Sequence, residues 1–465
     1  MAADLEAGDE KPAIAESDSH DSRASQMNSA TIQPEAKANI VDWDGPDDPQ
    51  NPMNWPSWKR LIQVIFASAF LLTSNLAATM YAPGAAQLGE EFSITSSTLV
   101  SLTVSIYLCG FAFGPMFIAP LSELYGRLPI YHLCNVIYIG FTIGCALATN
   151  TGMFFAFRVL AGIAASGPLT VGGGTVADVI PPAQRGRAMS LFVTGPLLGP
   201  VLGPIIGGFT TQAIGWRWTF WLILIIVNRS VVHHSDFFLR ETNAAVLLAR
   251  KTTRLRTETG NTALVSKMDR GLTSRQLFLR AIVRPTKLLI LSPIVLLLSL
   301  LTAFVFGLLF LLFTTFPAVF QEQYNFSTGV SGLSYLGVGL GMAFSLATFA
   351  TLSDRLHKAA GDSPKPEERL KPMMWFMPLV PVGIFWYGWA ADQKTHWIAP
   401  IIAANVVLRL LFGAFLPLAG PSLYANLGLG WGNSVLGFIG VAFVPVPLFF
   451  YRYGGWLRER FNMKL

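Results

Sequence analysis

Residues 195–209 read GPLLGPVLGPIIGGF. Gly195, Gly199, Gly203 and Gly207 recur at a spacing of four, and Gly208 follows. Pro196, Pro200 and Pro204 repeat the same spacing one position on. With 3.6 residues per turn, a row of this spacing stays on one helix face and drifts slowly around the axis. One stripe therefore has no side chains, and the next lacks backbone N–H donors. In water such a helix is poor, because Gly costs about 1 kcal/mol and Pro about 3 relative to Ala. In a bilayer the backbone must bond to itself, and small residues let helices approach closely. The stretch predicts a bent, close-packed membrane helix.

The composition around it agrees. Only 13% of the 465 residues are charged and 52% are hydrophobic, with mean hydropathy +0.48. Soluble domains average about 25% charged residues. Cys109, Cys134 and Cys145 all lie in apolar runs and read as packing residues, not as disulfides or metal ligands. The polar, acidic N-terminus does not resemble a cleavable signal peptide.

In chain order, residues 1–58 read as a disordered acidic cytosolic tail. Trp55 and Trp58 suit a membrane interface, with Lys59 and Arg60 on the inner side. Spans follow at about 61–83, 97–119, 130–149, 152–176 and 188–210, and Trp216 opens a sixth. Residues 59–239 thus form an N-terminal bundle. The stretch 240–287 holds eleven Lys or Arg against three acids and reads as a cytosolic central loop. Residues 288–451 give five readable spans, and 452–465 form a basic cytosolic tail. Leu121-Ser122-Glu123 is echoed by Leu352-Ser353-Asp354-Arg355. Two halves of about six helices, each with an acidic turn after its second helix, indicate an internal repeat.

On these residues the chain resembles the major facilitator superfamily, and within it the twelve-span fungal drug:proton antiporters. The family's loop motif G-x-L-a-D-r-x-G-r is matched at Leu121, Ser122, Glu123, Gly126 and Arg127. It departs at Ala119 and Leu124, and has Glu for Asp. R-x-x-x-G is matched at Arg158 and Gly162. The antiporter motif G-x-x-x-G-P-x-x-G-G is matched without a gap at Gly199, Gly203, Pro204, Gly207 and Gly208. The stretch 409–438 is also similar to this fungal group. The resemblance implies an all-helical polytopic fold of two six-helix halves. It also implies proton-coupled export of small amphipathic compounds and location in the plasma membrane, with the vacuolar membrane as alternative. The expected partners are lipid bilayer, substrate and protons, with no nucleic acid, no cofactor and a monomeric state.

The resemblance further implies that Arg127 pairs with Asp178, while Glu123 caps a helix N-terminus in the other half. Together with Gly126, Asp354 and Arg355 these residues would form a charge clasp that shuts the inner side. A solvated topological anchor is the alternative reading of the same charges. Arg158 and Arg409 sit inside apolar runs, where a charge costs at least about 2.5–3.5 kcal/mol. They are assigned to the proton-coupling or substrate pathway, with a structural bond to backbone carbonyls as the alternative. Asn75, Tyr81 and Tyr107 would suit a cavity for amphipathic cations or neutral aromatics. Asn325-Phe326-Ser327 is a glycosylation sequon, and His233-His234 lacks the partners of a metal site. HExxH and P-loop motifs are missing, which argues against a protease or an ATP-driven pump.

Two places depart from the pattern. The apolar run Trp216–Val227 has twelve residues, short of the roughly 20 a span needs. In the second half, 396–402 reads as the start of a tenth helix and 403–413 as the start of an eleventh, joined directly. About one span is therefore missing relative to the family. An altered splice or a degenerate gene would account for both, so an inactive paralogue or a proton-independent uptake carrier stand as alternatives. If the stripe is the moving contact, Gly199→Leu with Gly203→Leu abolishes transport while the protein still reaches the membrane, as read by efflux and surface labelling.

Overall fold

Among the described residues, six helices are long and apolar enough to cross a membrane. The computed structural model describes residues 39–227, 238–344 except 270 and 272, 378–392, and scattered positions between 434 and 452. Asp354, Arg355, Arg409, His233 and His234 lie outside the described residues.

The chain divides into two units. The larger runs over Asp47–Leu247 and Gly271–Leu465. Its first span is α1 (Ser57–Thr79), which passes through a 3₁₀ turn at Ala82–Gly84 into α2 (Ala85–Glu91). Then come α3 (Ser97–Tyr125) and α4 (Arg127–Ala146), separated only by Gly126. Its φ of +103° is a conformation that only glycine adopts freely. That geometry makes the tight hairpin which the sequence shows as a polar break. The fourth span is broken into α5 (Thr151–Ala165) and α6 (Gly167–Val179) around Ser166. The Asn150 side chain caps α5 by accepting from the Met153 amide, 2.9 Å away.

The opening stretch lies in α7 (Arg185–Ile214), which stays helical through Pro196, Pro200 and Pro204. Its glycine row lies against α1. A Cβ at Gly199 would stand 2.7 Å from the Asn75 Cβ, and one at Gly195 2.5 Å from the Ser68 carbonyl oxygen. A Cβ at Gly207 would run into the Met80 carbonyl. No side chain fits, so the two backbones meet directly. A second crossing is built alike: Gly110 on α3 faces Val159 and Ile163 on α5, and Gly162 faces the Tyr107 backbone.

After α8 (Arg217–Val227) the description resumes at 238 and enters α9 (Ala244–Thr259). α10 (Ser274–Leu291) precedes the long apolar α11 (Pro293–Glu322). α12 (Thr328–Leu333) and α13 (Leu379–Asp392) belong to the second half. The far side of α7 meets this half. Gly332 faces the Pro204 carbonyl oxygen, with 2.6 Å left for a Cβ, and Gly339 faces Val201. The Gly329 amide donates to Gln212 Oε1 at 2.7 Å. Behind this contact, Phe310, Phe313, Phe316, Tyr335 and Tyr387 form an apolar core.

The smaller unit holds described residues of the tail with Leu248–Arg270. Strand β1 (Ile40–Val41) pairs in parallel with β2 (Val265–Ser266). Lys251 donates to the Asp42 carbonyl and to the Asp44 carboxylate. The Lys267 ammonium, bonded to Asp42, holds that carboxyl below its usual range. The acidic tail is thus structured from residue 39, and a 3₁₀ turn at Pro52–Asn54 is capped by Asn51. Two opposed lysine–aspartate contacts tie strands too short to be legible as a pattern. The basic loop is likewise not featureless, since it contains α9 and most of α10.

Gly207→Ala is expected to destabilise the protein by about 1–3 kcal/mol through overpacking. Gly186→Ala, where nothing lies within 4 Å of a Cβ, is expected to be neutral. Thermal unfolding in detergent separates the two.

Candidate functional site

One charge cluster gathers where α3, α4, α6 and the segment before α9 meet. Arg127 is placed by the Gly126 turn and reaches α6. Its Nε donates to Asp178 Oδ2 at 3.2 Å, and an amino group donates to Ser122 Oγ at 2.7 Å. A Cβ at Gly174 would stand 2.9 Å from the guanidinium carbon, so α6 is bare where the arginine lies on it.

The acid that caps α4 is Glu241. Glu241 accepts from the amides of Arg127 at 2.9 Å and Leu128 at 3.2 Å. It also accepts from its own neighbours, Thr242 at 3.0 Å and Asn243 at 2.9 Å. Only 7% of Glu241 is exposed. Four amides, two of them at the N-terminal end of α4, hold this carboxylate. Thr242 Oγ1 donates to Asp178 Oδ2, and Asn243 Nδ2 to the Ser122 carbonyl, so the cluster is one network.

Glu123 is exposed, with no hydrogen bond or ion pair among the described residues. Much of the other half, where the resemblance places the helix N-terminus that it would cap, lies outside the described residues. Glu123 lies three residues before Gly126, in the last turn of α3. The missed signal was R-E-T at 240–242, an acid on the same expected side as Arg127.

At the opposite ends of the helices a second cluster forms. Glu91 accepts from Arg217 through both oxygens, at 2.6 and 2.7 Å, and from Trp216 Nε1 at 2.8 Å. Arg217 also donates to the Ala148 carbonyl at 2.7 Å and stacks 4.4 Å over the Trp216 ring. This pair, in which one amino group of Arg217 is shared by both carboxylate oxygens, ties the ends of α2, α8 and the α4–α5 turn. The sequence places both acid and arginine on one side but gives no sign that they pair.

Between the clusters lies Arg158, 1% exposed on α5. Its two amino groups donate to the carbonyls of Ala77 at 3.3 Å and Val104 at 3.4 Å. Nε has no hydrogen-bond partner. The guanidinium lies 4.7 Å from the Tyr107 ring and 5.6 Å from those of Tyr81 and Phe220. Tyr81 and Tyr107 are therefore fully buried around this cation rather than lining an open cavity. Asn75 is half-buried and donates to the Leu71 carbonyl. Tyr138, whose hydroxyl has no partner, separates Arg158 from a small cavity of about 20 Å³ lined by Thr73, Ser74 and Asn135. The cysteines are free, and Asn325 lies exposed in the turn before α12.

The sequence profile described as Major Facilitator Superfamily matches residues 65–445. The chain belongs to the major facilitator superfamily. It is similar to MFS transporter fsa7 of a Fusarium species, at 52% identity over 95% of this chain and 94% of that protein. A trichosetin biosynthesis cluster MFS transporter of Gibberella fujikuroi is 49% identical, over 93% and 91% of the two chains. The match to MFS-type transporter MFS19 of Alternaria alternata extends over 494 residues, more than the 465 of this chain. That relative therefore carries residues which this chain lacks. Among solved structures, the partially occluded inward-open xylose transporter XylE of E. coli shares the fold. Its TM-score is 0.59 at 15% identity, covering 85% of this chain and 99% of that one. As a superfamily member the chain is an integral, multi-pass membrane transporter and not an enzyme.

Glu241→Ala is expected to cost about 1–3 kcal/mol, because buried amides lose their acceptor. Glu123→Ala is expected to stay within about 0.5 kcal/mol. Thermal unfolding of the two purified variants checks both.

Proposed function

We propose that the chain exports small amphipathic compounds, fungal secondary metabolites among them, by alternating access coupled to proton return. The observation that carries this reading is the seating of α7 between two surfaces. Its bare glycine face lies on α1, and its other face meets Gly332 and Gly339 of the second half. A contact without interdigitated side chains can rock with little steric cost. The network of Arg127, Asp178 and Glu241 would be the latch on the cytosolic side, and the Glu91–Arg217 pair its counterpart outside. Arg158 stands between them as the charged element of the transport path.

The relatives lend the substrate class its support, since one of them is named for a trichosetin biosynthesis cluster. One proton returning across about 100 mV and one pH unit supplies roughly 3.7 kcal/mol. That sustains a gradient of about 500-fold, enough for self-protection by export.

A non-transporting paralogue is the second reading, favoured by the residues that the Alternaria relative carries and this chain lacks. A transcript read across codons 225–240 and 400–405 separates it: restored apolar helices there leave the exporter standing.

The direct test is expression of the full chain in a pump-deficient yeast with a panel of toxic compounds, followed by vesicle assays. Export is expected to raise tolerance to at least one compound, and collapse of the pH gradient to slow it about tenfold. Transport indifferent to the gradient overturns proton coupling; no transport overturns export.

A further inference from the structure

Arg158 has a property that the export reading does not use: among the described residues no acid answers its charge. In the six apolar helices long enough to span, every other Asp, Glu, Lys or Arg lies within one turn of an end, whereas Arg158 is about two turns in. Lys59 and Arg60 begin the first, Glu91 ends it, and Glu123 and Asp178 close the second and fourth. Across the whole sequence the apolar runs enclose Arg158 and Arg409 and hold Asp and Glu only at their ends.

Among the described residues, those within reach of the guanidinium offer backbone carbonyls and ring faces, and no carboxylate. These groups stabilise the cation locally. They do not remove its net charge, because the fields of dipoles and quadrupoles fall off faster with distance than that of a charge. Arginine cannot shed its proton, so the charge is permanent. Nε remains unpartnered and faces, with the unpartnered Tyr138 hydroxyl, a space lined by Tyr107, Thr142 and Cys145.

The position matters as much as the sign. Arg158 bonds to Ala77 on α1 and Val104 on α3. α1 lies directly on α7, which carries the contact with the second half. The charge thus stands behind α1 and α7, about two helix diameters from the contact between the halves. At about 20 Å and an effective dielectric constant near 20, one unit charge favours a monoanion over a neutral molecule by roughly 4-fold. It favours an anion over a cation by roughly 16-fold on the same basis.

We propose that the exported compounds are organic anions, bearing a carboxylate or a comparably acidic group, and that Arg158 sets this sign. The inference rests on the export reading and narrows it. It replaces the amphipathic cations and neutral aromatics that the aromatic content suggests. An anion leaving the cytosol also moves down an inside-negative membrane potential, so the selection and the driving force act in the same direction.

The test uses the full chain in pump-deficient yeast loaded with carboxyfluorescein, an anionic dye, or rhodamine 6G, a cationic one. The expected result is carboxyfluorescein efflux at least tenfold above that of rhodamine 6G, each relative to vector controls. Arg158→Met is expected to erase the preference, and Arg158→Lys to retain it. Equal or faster rhodamine 6G efflux by the unmodified chain overturns the anion assignment and leaves export standing. Efflux of neither dye, with no compound of the toxic panel exported, overturns export and this inference together. Efflux of neither dye while panel compounds are exported is decided by the charge of those compounds, cationic or neutral ones overturning the assignment. A folded Arg158→Met protein, monodisperse on gel filtration, that keeps the preference overturns the role of Arg158. If that variant does not fold, the sign preference of the unmodified chain and of Arg158→Lys decides.

Discussion

The approach of α7 to α1 is the constraint on which the rest of the membrane unit depends. Two backbones come within a distance that a single methyl group would violate at Gly195, Gly199, Gly203 and Gly207. In a bilayer, lipid tails are as apolar as leucine, so helices gain nothing from simply hiding apolar side chains. They gain from dispersion and from backbone proximity, and both need bare faces. The prolines between the glycines cost helix hydrogen bonds that water would otherwise supply, yet α7 runs unbroken over thirty residues. Its opposite face remains available for the second half, which meets it with glycines of its own at 329, 332 and 339.

Charge is spent sparingly and at the ends. One cluster joins Arg127, Asp178 and Glu241, and the other joins Glu91, Trp216 and Arg217. Each fastens segments that are far apart in sequence, and each satisfies backbone groups which helix termini leave open. Glu241 does so for α4, whose first turn has no capping side chain of its own. Arg158 is the exception in the middle. It is held by carbonyls and aromatic faces, and its cost is met by close packing rather than by a partner acid.

Much of this was legible in the residues. The five long spans of the first half follow from apolar runs broken by short polar turns, and the structure lengthens most of them by a few residues at the ends. Gly126 and Arg127 mark the hairpin, and the pairing of Arg127 with Asp178 came with the family pattern rather than with spacing. The acid that caps α4 carries no such mark. Glu241 lies 114 residues beyond Arg127, and no local pattern joins the two. The order of the tail at Ile40–Val41 was hidden for the same reason, since its partner strand is at 265–266.

The sequence by itself determined that this chain crosses a membrane many times, that one helix is stripped of side chains along a face, and that a lone arginine sits in an apolar run. Those are properties of composition and of the 3.6-residue period, which act over a few turns. Only the tertiary structure decided which acid meets which amide, which face of α7 meets α1, and that the arginine is ringed by tyrosines and a phenylalanine. Hydrogen bonds and close packing act over a few ångströms in space and are indifferent to separation along the chain. Partners more than a hundred residues apart therefore leave no mark in the local pattern.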